Sequence, residues 1–204
     1  MRSLILKRAV ANASRSVLSK AAKKTLYVNR PVLNAQEIAD WAKGQGFTTT
    51  LAPADMHVTI AYSKTPVNWL QIGDDWLDRP EKIYNAEVTR AGLYSDGVED
   101  RQSWDVDDPP GSIRIRAGKR EVMPLGPRGA VVLKFDSVHL VERWCRFRRS
   151  GCSWDYAGYT PHVTITYDKP PKLDLATVTP FAADILLGEE AFAELDENWT
   201  VRER

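Results

Sequence analysis

The chain carries the stretch MHVTIAYSKTP at residues 56–66 and the stretch PHVTITYDKPP at residues 161–171. Aligned, the two stretches share His, Val, Thr, Ile, Tyr, Lys and Pro in register. The alternation of polar and β-branched residues predicts a strand in each. A repeated His-x-Thr inside such a strand indicates a duplicated fold that brings one histidine and one hydroxyl from each half into a single cleft.

The repeated motif supplies four candidate catalytic residues, His57, Thr59, His162 and Thr164. Residues at positions i and i+2 of a strand share a face, so each threonine should stand beside its histidine. Two imidazoles, whose ordinary pKa is near 6.5, can divide the roles of general base and general acid. The threonine hydroxyls are expected to hydrogen-bond phosphoryl oxygens as negative charge builds on them. A lone histidine in an apolar strand is more often structural, but repetition of the whole polar pair favours catalysis.

Strand alternation also assigns the residues that follow each motif. It predicts that Ala61 and Thr166 share the histidine face. It predicts that Tyr62 and Tyr167 share the opposite face with the branched residues, which pack on the helices.

A metal site is the alternative use of two histidines on separate strands. Threonine occupies the position two residues after each histidine, where a metal site would place Asp, Glu or Cys. We therefore predict no metal and no cofactor. His139, on a predicted helix without such a context, is predicted to be a surface residue. Cys145 and Cys152 match neither a CxxC redox pair nor half of a zinc finger, and we interpret both as structural thiols.

A strand and a helix precede each motif. In the first half, the pattern predicts a strand at 25–28 and a helix over 34–44. In the second half, it predicts a strand at 130–135 and a helix over 137–149. Further strands are predicted at 83–94 and 183–187.

The helix ends have recognisable signals. Asn34 with Glu37 resembles a capping box, and Gly44 is the predicted residue just after the first helix. Ser137 is the predicted N-cap of the second helix, which Gly151 should end. The residues expected to face inward are Ala35, Ile38, Trp41 and Ala42 in the first helix, and Val138, Val141, Trp144 and Cys145 in the second.

These elements predict an α+β protein of two strand-helix-strand units around a central cleft. We divide the chain into a basic N-terminal arm at 1–24 and one domain at 25–204. Within the domain, the lobes are 25–94 and 129–204. The Asp-, Gly-, Pro- and Arg-rich segment 95–128 is predicted to be an insertion that acts as a flap, because connections this long are usually functional or mobile.

The composition limits the classes of partner. The 204 residues are 43% hydrophobic and 27% charged, with a formal net charge of +1. Such a charge excludes a chain that is basic throughout, so no duplex nucleic acid is expected as a partner. No stretch approaches the roughly 18 apolar residues that cross a bilayer, so no membrane association is expected. The acid-free leader is interpreted as an arm rather than a targeting peptide, and the oligomeric state is left open.

The paired motifs resemble the signature of the two-histidine (2H) phosphoesterases, which cleave cyclic phosphates and nucleotide phosphodiesters without a metal. More narrowly, the chain resembles the phage anti-CBASS phosphodiesterases over roughly residues 25–199. The stretches that carry this resemblance are TLYVNRPV at 25–32, the Trp41-Ala42-Lys43 helix, DMHVTIAY at 55–62, SWDY at 153–156 and PHVTI at 161–165. Members of that family destroy cyclic di- and trinucleotides such as cyclic GMP-AMP, through which bacteria trigger abortive defence.

The resemblance implies a two-lobed 2H phosphoesterase fold and a metal-independent phosphodiesterase. The implied substrate is a 3′,5′-linked cyclic di- or trinucleotide, and the implied place of action is the cytoplasm of an infected bacterial host. The four motif residues match the catalytic quartet of the family. Two alternatives stay open: an enzyme that acts on RNA 2′,3′-cyclic phosphates or other RNA ends, and a sponge that binds cyclic nucleotides without cleaving them.

The resemblance also implies substrate-binding residues. Tyr27 stands where the family places an aromatic ring against a nucleobase, and Glu190 stands where a base-contacting carboxylate is expected. Trp104 and Trp154 are both candidates for a stacking tryptophan. Each has a plainer alternative, since Tyr27 and Trp154 could pack in the core and Glu190 could be a solvated carboxylate.

Overall fold

A computed structural model describes residues 23–69, 72, 108–109, 111–126 and 129–196. These residues combine helices with antiparallel strands, which confirms the predicted α+β class. The strands are β1 (Lys24–Pro31), β2 (His57–Val67), β3 (Ile113–Ile115), β4 (Arg120–Leu125), β5 (Ala130–Phe135), β6 (His162–Thr166), β7 (Ile185–Leu187) and β8 (Ala191–Ala193). Helix α1 spans Ala35–Gly44 and helix α2 spans Val138–Arg149, with 3-10 turns at Pro53–Asp55 and Leu175–Thr177.

The two His-x-Thr strands occupy equivalent places in two sheets. One sheet has the order β2-β1-β8, and the other has the order β6-β5-β4. In each half the chain runs from the central strand, through a helix, to the His-x-Thr strand, which pairs antiparallel with that central strand. The predicted duplication of a strand-helix-strand unit is therefore confirmed. The buried residues of both halves form one apolar core.

Both His-x-Thr strands contain a β-bulge at the same place. In the first sheet, Asn29 pairs with Thr59 while Val28 pairs with Ala61. In the second, Val132 pairs with Thr164 while Val131 pairs with Thr166. One extra residue in each strand, an isoleucine, interrupts the alternation of side chains between the two faces.

The bulges correct the predicted faces beyond each threonine. Ala61 and Thr166 were expected beside the histidines, but both turn into the interior and are only 2% and 3% exposed. Strand parity after the bulge places Tyr62 and Tyr167 on the histidine face instead. Alternation failed here because the pairing register of a strand is set by its partner as well as by its own sequence.

Helix α1 begins and ends differently from its sequence signals. The side chain of Asn34 caps no backbone N–H of the helix; its Nδ2 donates to the carbonyl oxygen of Asp184 and its Oδ1 accepts from the N–H of Leu186. Asn34 thus joins the helix start to β7. Gly44 is the last helical residue, and Gly46, with φ of 95°, is the left-handed residue after the cap. The apolar face of helix α1 is buried as predicted, except at Trp41, which is half-buried.

Helix α2 has the predicted ends but a different buried face. The Ser137 side chain accepts a hydrogen bond from the N–H of Leu140, and Gly151 has a φ of 92°. The buried residues of the helix are Leu140, Glu142, Arg143 and Phe147, whereas the predicted face of Val138, Val141, Trp144 and Cys145 is half-buried. The face is rotated because the guanidinium of Arg143 lies over the ring of Phe147 and pairs with a buried carboxylate.

Part of the predicted flap belongs to the sheets. Strand β3 pairs with β7, and β4 is the edge strand beside β5. Ile113 and Ile115 are buried, and Pro124 is tolerated because β4 lies at an edge. The predicted strand at 183–187 is found as β7, whereas the predicted strand at 83–94 and all but the last two residues of the basic arm lie outside the described residues.

The two cysteines form no disulfide. Cys145 is half-buried and Cys152 is buried. Burial raises the pKa of the Cys152 thiol to about 11, which keeps it protonated and unreactive. This supports the interpretation of Cys152 as a structural thiol.

Candidate active site

The His-x-Thr motifs present their polar side chains on one face of each strand. His57 and Thr59 are half-buried, as are His162 and Thr164. The branched residues between them point to the other face and are fully buried: Val58, Ile60, Val163 and Ile165 are all 0% exposed. Burial of the branched side chains fixes the rotation of each strand, and so it fixes which way the histidines face.

Each histidine is held by the backbone just before it. His57 Nδ1 lies 2.7 Å from the carbonyl oxygen of Asp55, and His162 Nδ1 lies 2.6 Å from the carbonyl oxygen of Thr160. A carbonyl oxygen only accepts, so Nδ1 carries the proton in both rings. Nε2 of each neutral imidazole is then the atom that can accept or, when protonated, donate.

The two histidines act on each other electrostatically. The charge of His57 helps to lower the pKa of His162, although burial of the His162 ring contributes more to that shift. The backbone hydrogen bond to Thr160 acts in the opposite direction. The hydroxyl of Tyr159, close to His162 in sequence, donates to the carbonyl oxygen of Thr59 at 2.9 Å. We refer to the surface between the histidine faces of β2 and β6 as the histidine cleft.

Tyr27 brings a third polar group to the first motif. Its hydroxyl oxygen lies 2.8 Å from His57 Nε2 and 3.0 Å from Thr59 Oγ1. Its ring meets the His57 ring edge-on, with centroids 6.2 Å apart. Burial raises the pKa of Tyr27, with a smaller contribution in the same direction from Tyr167. Tyr27 therefore lies in the histidine cleft with a neutral hydroxyl rather than in the core.

Trp154 belongs to a cluster of aromatic rings. Its ring centroid lies 4.7 Å from that of Tyr62, 6.1 Å from Trp144, and 6.0 Å from both Tyr156 and Tyr159. Its indole N–H donates to the carbonyl oxygen of Gly158. Since Tyr62 lies on the histidine face of β2, the cluster extends that face, and Trp154 is half-buried within it.

Glu190 lies on the other side of the first sheet. Arg143 Nε donates one bifurcated hydrogen bond to both oxygens of the Glu190 carboxylate, and Arg143 Nη2 donates a second bond, at 2.8–3.1 Å. Arg30 Nη2 lies 3.5 Å from the same carboxylate, and only 13% of the Glu190 side chain is exposed. Arg30 stands three residues after Tyr27 on β1, so strand parity places this buried ion-pair cluster opposite the histidine cleft.

The predicted contact of Glu190 with a base stays a prediction, but its burial beside two arginines conflicts with the alternative of a solvated carboxylate. The sequence did not show this because the partner arginines come from distant elements, β1 and α2. Trp104, the other predicted stacking residue, lies outside the described residues.

His139 is also placed differently from its prediction. It is half-buried rather than at the surface. Burial lowers its pKa to about 4, and the nearby charge of Arg30 adds to that effect while Glu190 opposes it. The ring is therefore neutral near pH 7 and lies beside the buried ion-pair cluster.

The described part of the chain offers no group of three or more His, Cys, Asp or Glu side chains placed to hold a metal ion. Within that part, no helix combines the length and apolar character needed to cross a membrane.

The structure adds residues to the cleft that the sequence analysis did not select. Tyr62 and Tyr167 reach it through the bulges, and Lys134 lies directly opposite His162 in the register of β5 and β6. Lys134 Nζ lies 3.5 Å from the carboxylate of Glu121. Pairing the predicted strands at 130–135 and 161–166 by their hydrophobic residues would have placed Lys134 beside His162.

Comparison with known proteins gives concordant results. The family model described as anti-CBASS protein Acb1 matches residues 24–202. A protein of that description from Sphingomonas paeninsulae is 42% identical over 183 residues, covering 90% of this chain. Another from Caulobacter sp. (strain RHG1) is 38% identical over 187 residues, covering 91% of this chain. The chain spans about a quarter of the length of these two curated relatives, since 25% of each is covered.

Solved structures with a related shape are more distant in sequence. A crystal structure of a phosphoesterase has a TM-score of 0.44 and 15% identity, covering 83% of this chain and 87% of that chain. Escherichia coli LigT complexed with 3′-AMP has a TM-score of 0.43 and 13% identity, covering 86% of this chain and 96% of that chain. The match of the family model to most of the chain, together with the two relatives, shows that the chain belongs to the Acb1 family of anti-CBASS proteins.

Proposed function

We propose that this chain is a metal-independent phosphodiesterase that opens 3′,5′-linked cyclic di- and trinucleotides, such as cyclic GMP-AMP. By removing these signals it would counter CBASS defence in the cytoplasm of an infected bacterial host. The observation that carries the proposal is the matched pair of His-x-Thr motifs, each with its histidine Nδ1 held by a backbone carbonyl, so that Nε2 is the atom that exchanges a proton. Membership of the Acb1 family supports it.

The histidines divide the proton transfers. We assign His162 as the general base, because burial lowers its pKa and favours the neutral imidazole. Its Nε2 takes the proton from a ribose 2′-hydroxyl or a water, and that oxygen attacks the phosphorus in line. The bond from phosphorus to the 5′-oxygen breaks, and the protonated Nε2 of His57 donates its proton to that leaving oxygen.

The threonines stabilise the phosphoryl group. Thr59 and Thr164 stand two residues after the histidines on the same faces, one from each lobe. Their hydroxyls donate to phosphoryl oxygens, which gain negative charge as the nucleophile adds. Such a donor is typically worth about 10²- to 10³-fold in turnover.

Substrate binding depends on aromatic rings more than on net charge. A chain with a formal charge of +1 gives little overall attraction to an anionic ligand. Tyr27 and Trp154 have faces on or beside the histidine cleft, and base stacking is worth about 1–3 kcal/mol per ring. Trp104 remains a predicted stacking residue.

The proposal is tested by incubating the protein with cyclic GMP-AMP in excess EDTA and separating the products by chromatography. A linear product is expected, and it should be lost in the His57→Ala and His162→Ala variants. An RNA carrying a 2′,3′-cyclic phosphate end is assayed in parallel. Cleavage of the RNA alone would replace the proposed substrate with RNA ends, whereas tight binding of intact cyclic GMP-AMP would identify a sponge.

A further inference from the structure

We propose that Tyr27 is a positioning residue that couples the protonation state of His57 to hydrogen-bond donation by Thr59. The inference rests on the proposed function, since it concerns how the first motif acts during phosphodiester cleavage. It follows from the position of one hydroxyl group, which lies within hydrogen-bond distance of both residues of the motif.

The direction of the hydrogen bonds is determined when His57 is neutral. Nδ1 carries the ring proton because its partner is the carbonyl oxygen of Asp55. Nε2 then has only a lone pair, so the Tyr27 hydroxyl must donate to it. The Tyr27 oxygen is left to accept from Thr59, and the proton of Thr59 is directed at Tyr27 rather than at the substrate.

Protonation of His57 reverses this chain. Nε2 now carries a proton, which it donates to the Tyr27 oxygen until the leaving 5′-oxygen of the substrate takes that place. The Tyr27 proton turns to Thr59 Oγ1, 3.0 Å away, which accepts it. The proton of Thr59 is then available for a phosphoryl oxygen. The acid form of His57 and the donating form of Thr59 therefore occur together.

The coupling requires that Tyr27 itself stay neutral. Burial raises the pKa of Tyr27, so its hydroxyl keeps its proton throughout the range in which a histidine titrates. The titratable groups that act on this network from the facing strands are His162, whose pKa responds to His57, and Tyr167, which contributes to the raised pKa of Tyr27.

Among the described residues, no tyrosine stands at the matching place in the second lobe. The matching bulges align Val28 with Val131 and Asn29 with Val132, so Tyr27 corresponds to Ala130. A methyl group offers no hydrogen bond to His162 or Thr164. Thr164 thus donates independently of its histidine, and the second motif is an internal control for the first.

The test is a pair of double-mutant cycles on cyclic GMP-AMP cleavage. Tyr27→Phe removes the hydroxyl and keeps the ring, and loss of one hydrogen bond is expected to lower kcat about tenfold. KM should stay within about twofold, because the stacking surface remains. In the Thr59→Val background, Tyr27→Phe should cause little further loss. In the Thr164→Val background, its full effect should persist.

Further variants keep the result interpretable. Thr59→Ser keeps a hydroxyl at that position, so in the Thr59→Ser background Tyr27→Phe should again lower kcat. Thermal unfolding of every variant identifies any that have lost their fold. Equal effects of Tyr27→Phe in the Thr59→Val and Thr164→Val backgrounds would overturn the coupling, as would a Tyr27→Phe enzyme with wild-type kcat.

A readout independent of turnover separates this inference from the proposed function. The titration of His57 is followed by NMR of its ring nitrogens. Thr59→Val should shift the His57 titration in the parent protein and leave it unmoved in Tyr27→Phe. A wild-type protein that cleaves no cyclic nucleotide would contradict the proposed function but not the coupling. If Thr59→Val shifts the His57 titration equally with and without the Tyr27 hydroxyl, the coupling is contradicted but the proposed function is not.

Discussion

The two lobes of the molecule position their histidines in the same way but differ in the residues around them. Both place His-x-Thr beside a central strand, and both have a bulge one residue after the threonine. Both hold Nδ1 on the carbonyl two residues earlier. One of their differences lies at the register position where the first lobe has Tyr27 and the second has Ala130. Duplication thus kept the geometry that both halves need and left the neighbouring groups different.

The helices show the same contrast. Each is followed, just after its C-cap residue, by a left-handed glycine, Gly46 in the first lobe and Gly151 in the second. Helix α1 buries small and branched apolar residues, whereas α2 buries the charged Arg143 against Glu190. The buried ion-pair cluster joins α2 of the second lobe to β1 of the first. The buried charge that distinguishes α2 from α1 therefore connects the second lobe to the first.

The largest expected effect comes from removing either histidine. His57→Ala and His162→Ala should each lower turnover by about 10²- to 10⁴-fold, as is typical for loss of one acid or base. Because the pair acts as a unit, the double variant should be little slower than the slower single variant. Steady-state rates with matched thermal unfolding check this. If one histidine can be removed at no cost in rate, the lobes are not partners in a single reaction.

Removal of either threonine hydroxyl should cost less. Thr59→Val and Thr164→Val are each expected to lower kcat by up to about 10²- to 10³-fold, the range for one donor to a developing oxyanion. Thr166→Val is the matched control, because Thr166 is turned into the interior by the bulge and bonds to Thr49. It should change stability and not kcat. A loss of kcat in Thr166→Val as large as in Thr164→Val would contradict the assignment of faces.

Base stacking on Tyr27 should give a smaller effect, seen in binding. Tyr27→Ala, in the inactive His57→Ala, His162→Ala background, is expected to weaken cyclic GMP-AMP binding by about 1–3 kcal/mol. Tyr27→Phe in the same background is the control, since it keeps the ring. Calorimetry gives both affinities. Equal losses in Ala and Phe would show that the hydroxyl, and not the ring, contacts the ligand.

The smallest effect concerns stability against acid. His139 has a folded pKa of about 4, below the unfolded value near 6.5. The unfolded chain therefore binds the proton first, so this stabilisation is complete above pH 6.5 and is lost as the pH falls towards 4. Urea unfolding at several pH values should show a shallower acid loss in His139→Gln than in the parent. An identical pH dependence in both proteins would show that His139 titrates alike in the folded and unfolded states.

The sequence predicted the elements of the fold because their signals are local. The repeated motif located β2 and β6, and Ser137 and Gly151 marked the ends of α2. The bulges were not predictable, because they depend on how β2 pairs with β1 and how β6 pairs with β5. One extra residue in each strand was enough to exchange the faces of Ala61 and Tyr62.

The site was predictable to the same extent. His57, Thr59, His162 and Thr164 precede the bulges, so simple alternation places them correctly. The burial of Glu190 was not predicted because it depends on Arg30 and Arg143, which are distant in sequence. The hydrogen bonds of the Tyr27 hydroxyl could not be predicted either, because they depend on the register between β1 and β2. Its two partners lie 30 and 32 residues away in sequence.

In the proposed function, both lobes serve one metal-independent cleavage of a cyclic oligonucleotide. The most direct measurement is a time course of cyclic GMP-AMP with chelator-treated protein, resolved by chromatography for the wild type and both single histidine variants. We expect a linear product from the wild type in excess EDTA and at least about 10²-fold slower formation by each variant. Cyclic GMP-AMP left intact by the wild type, or activity that requires an added metal ion, would contradict it.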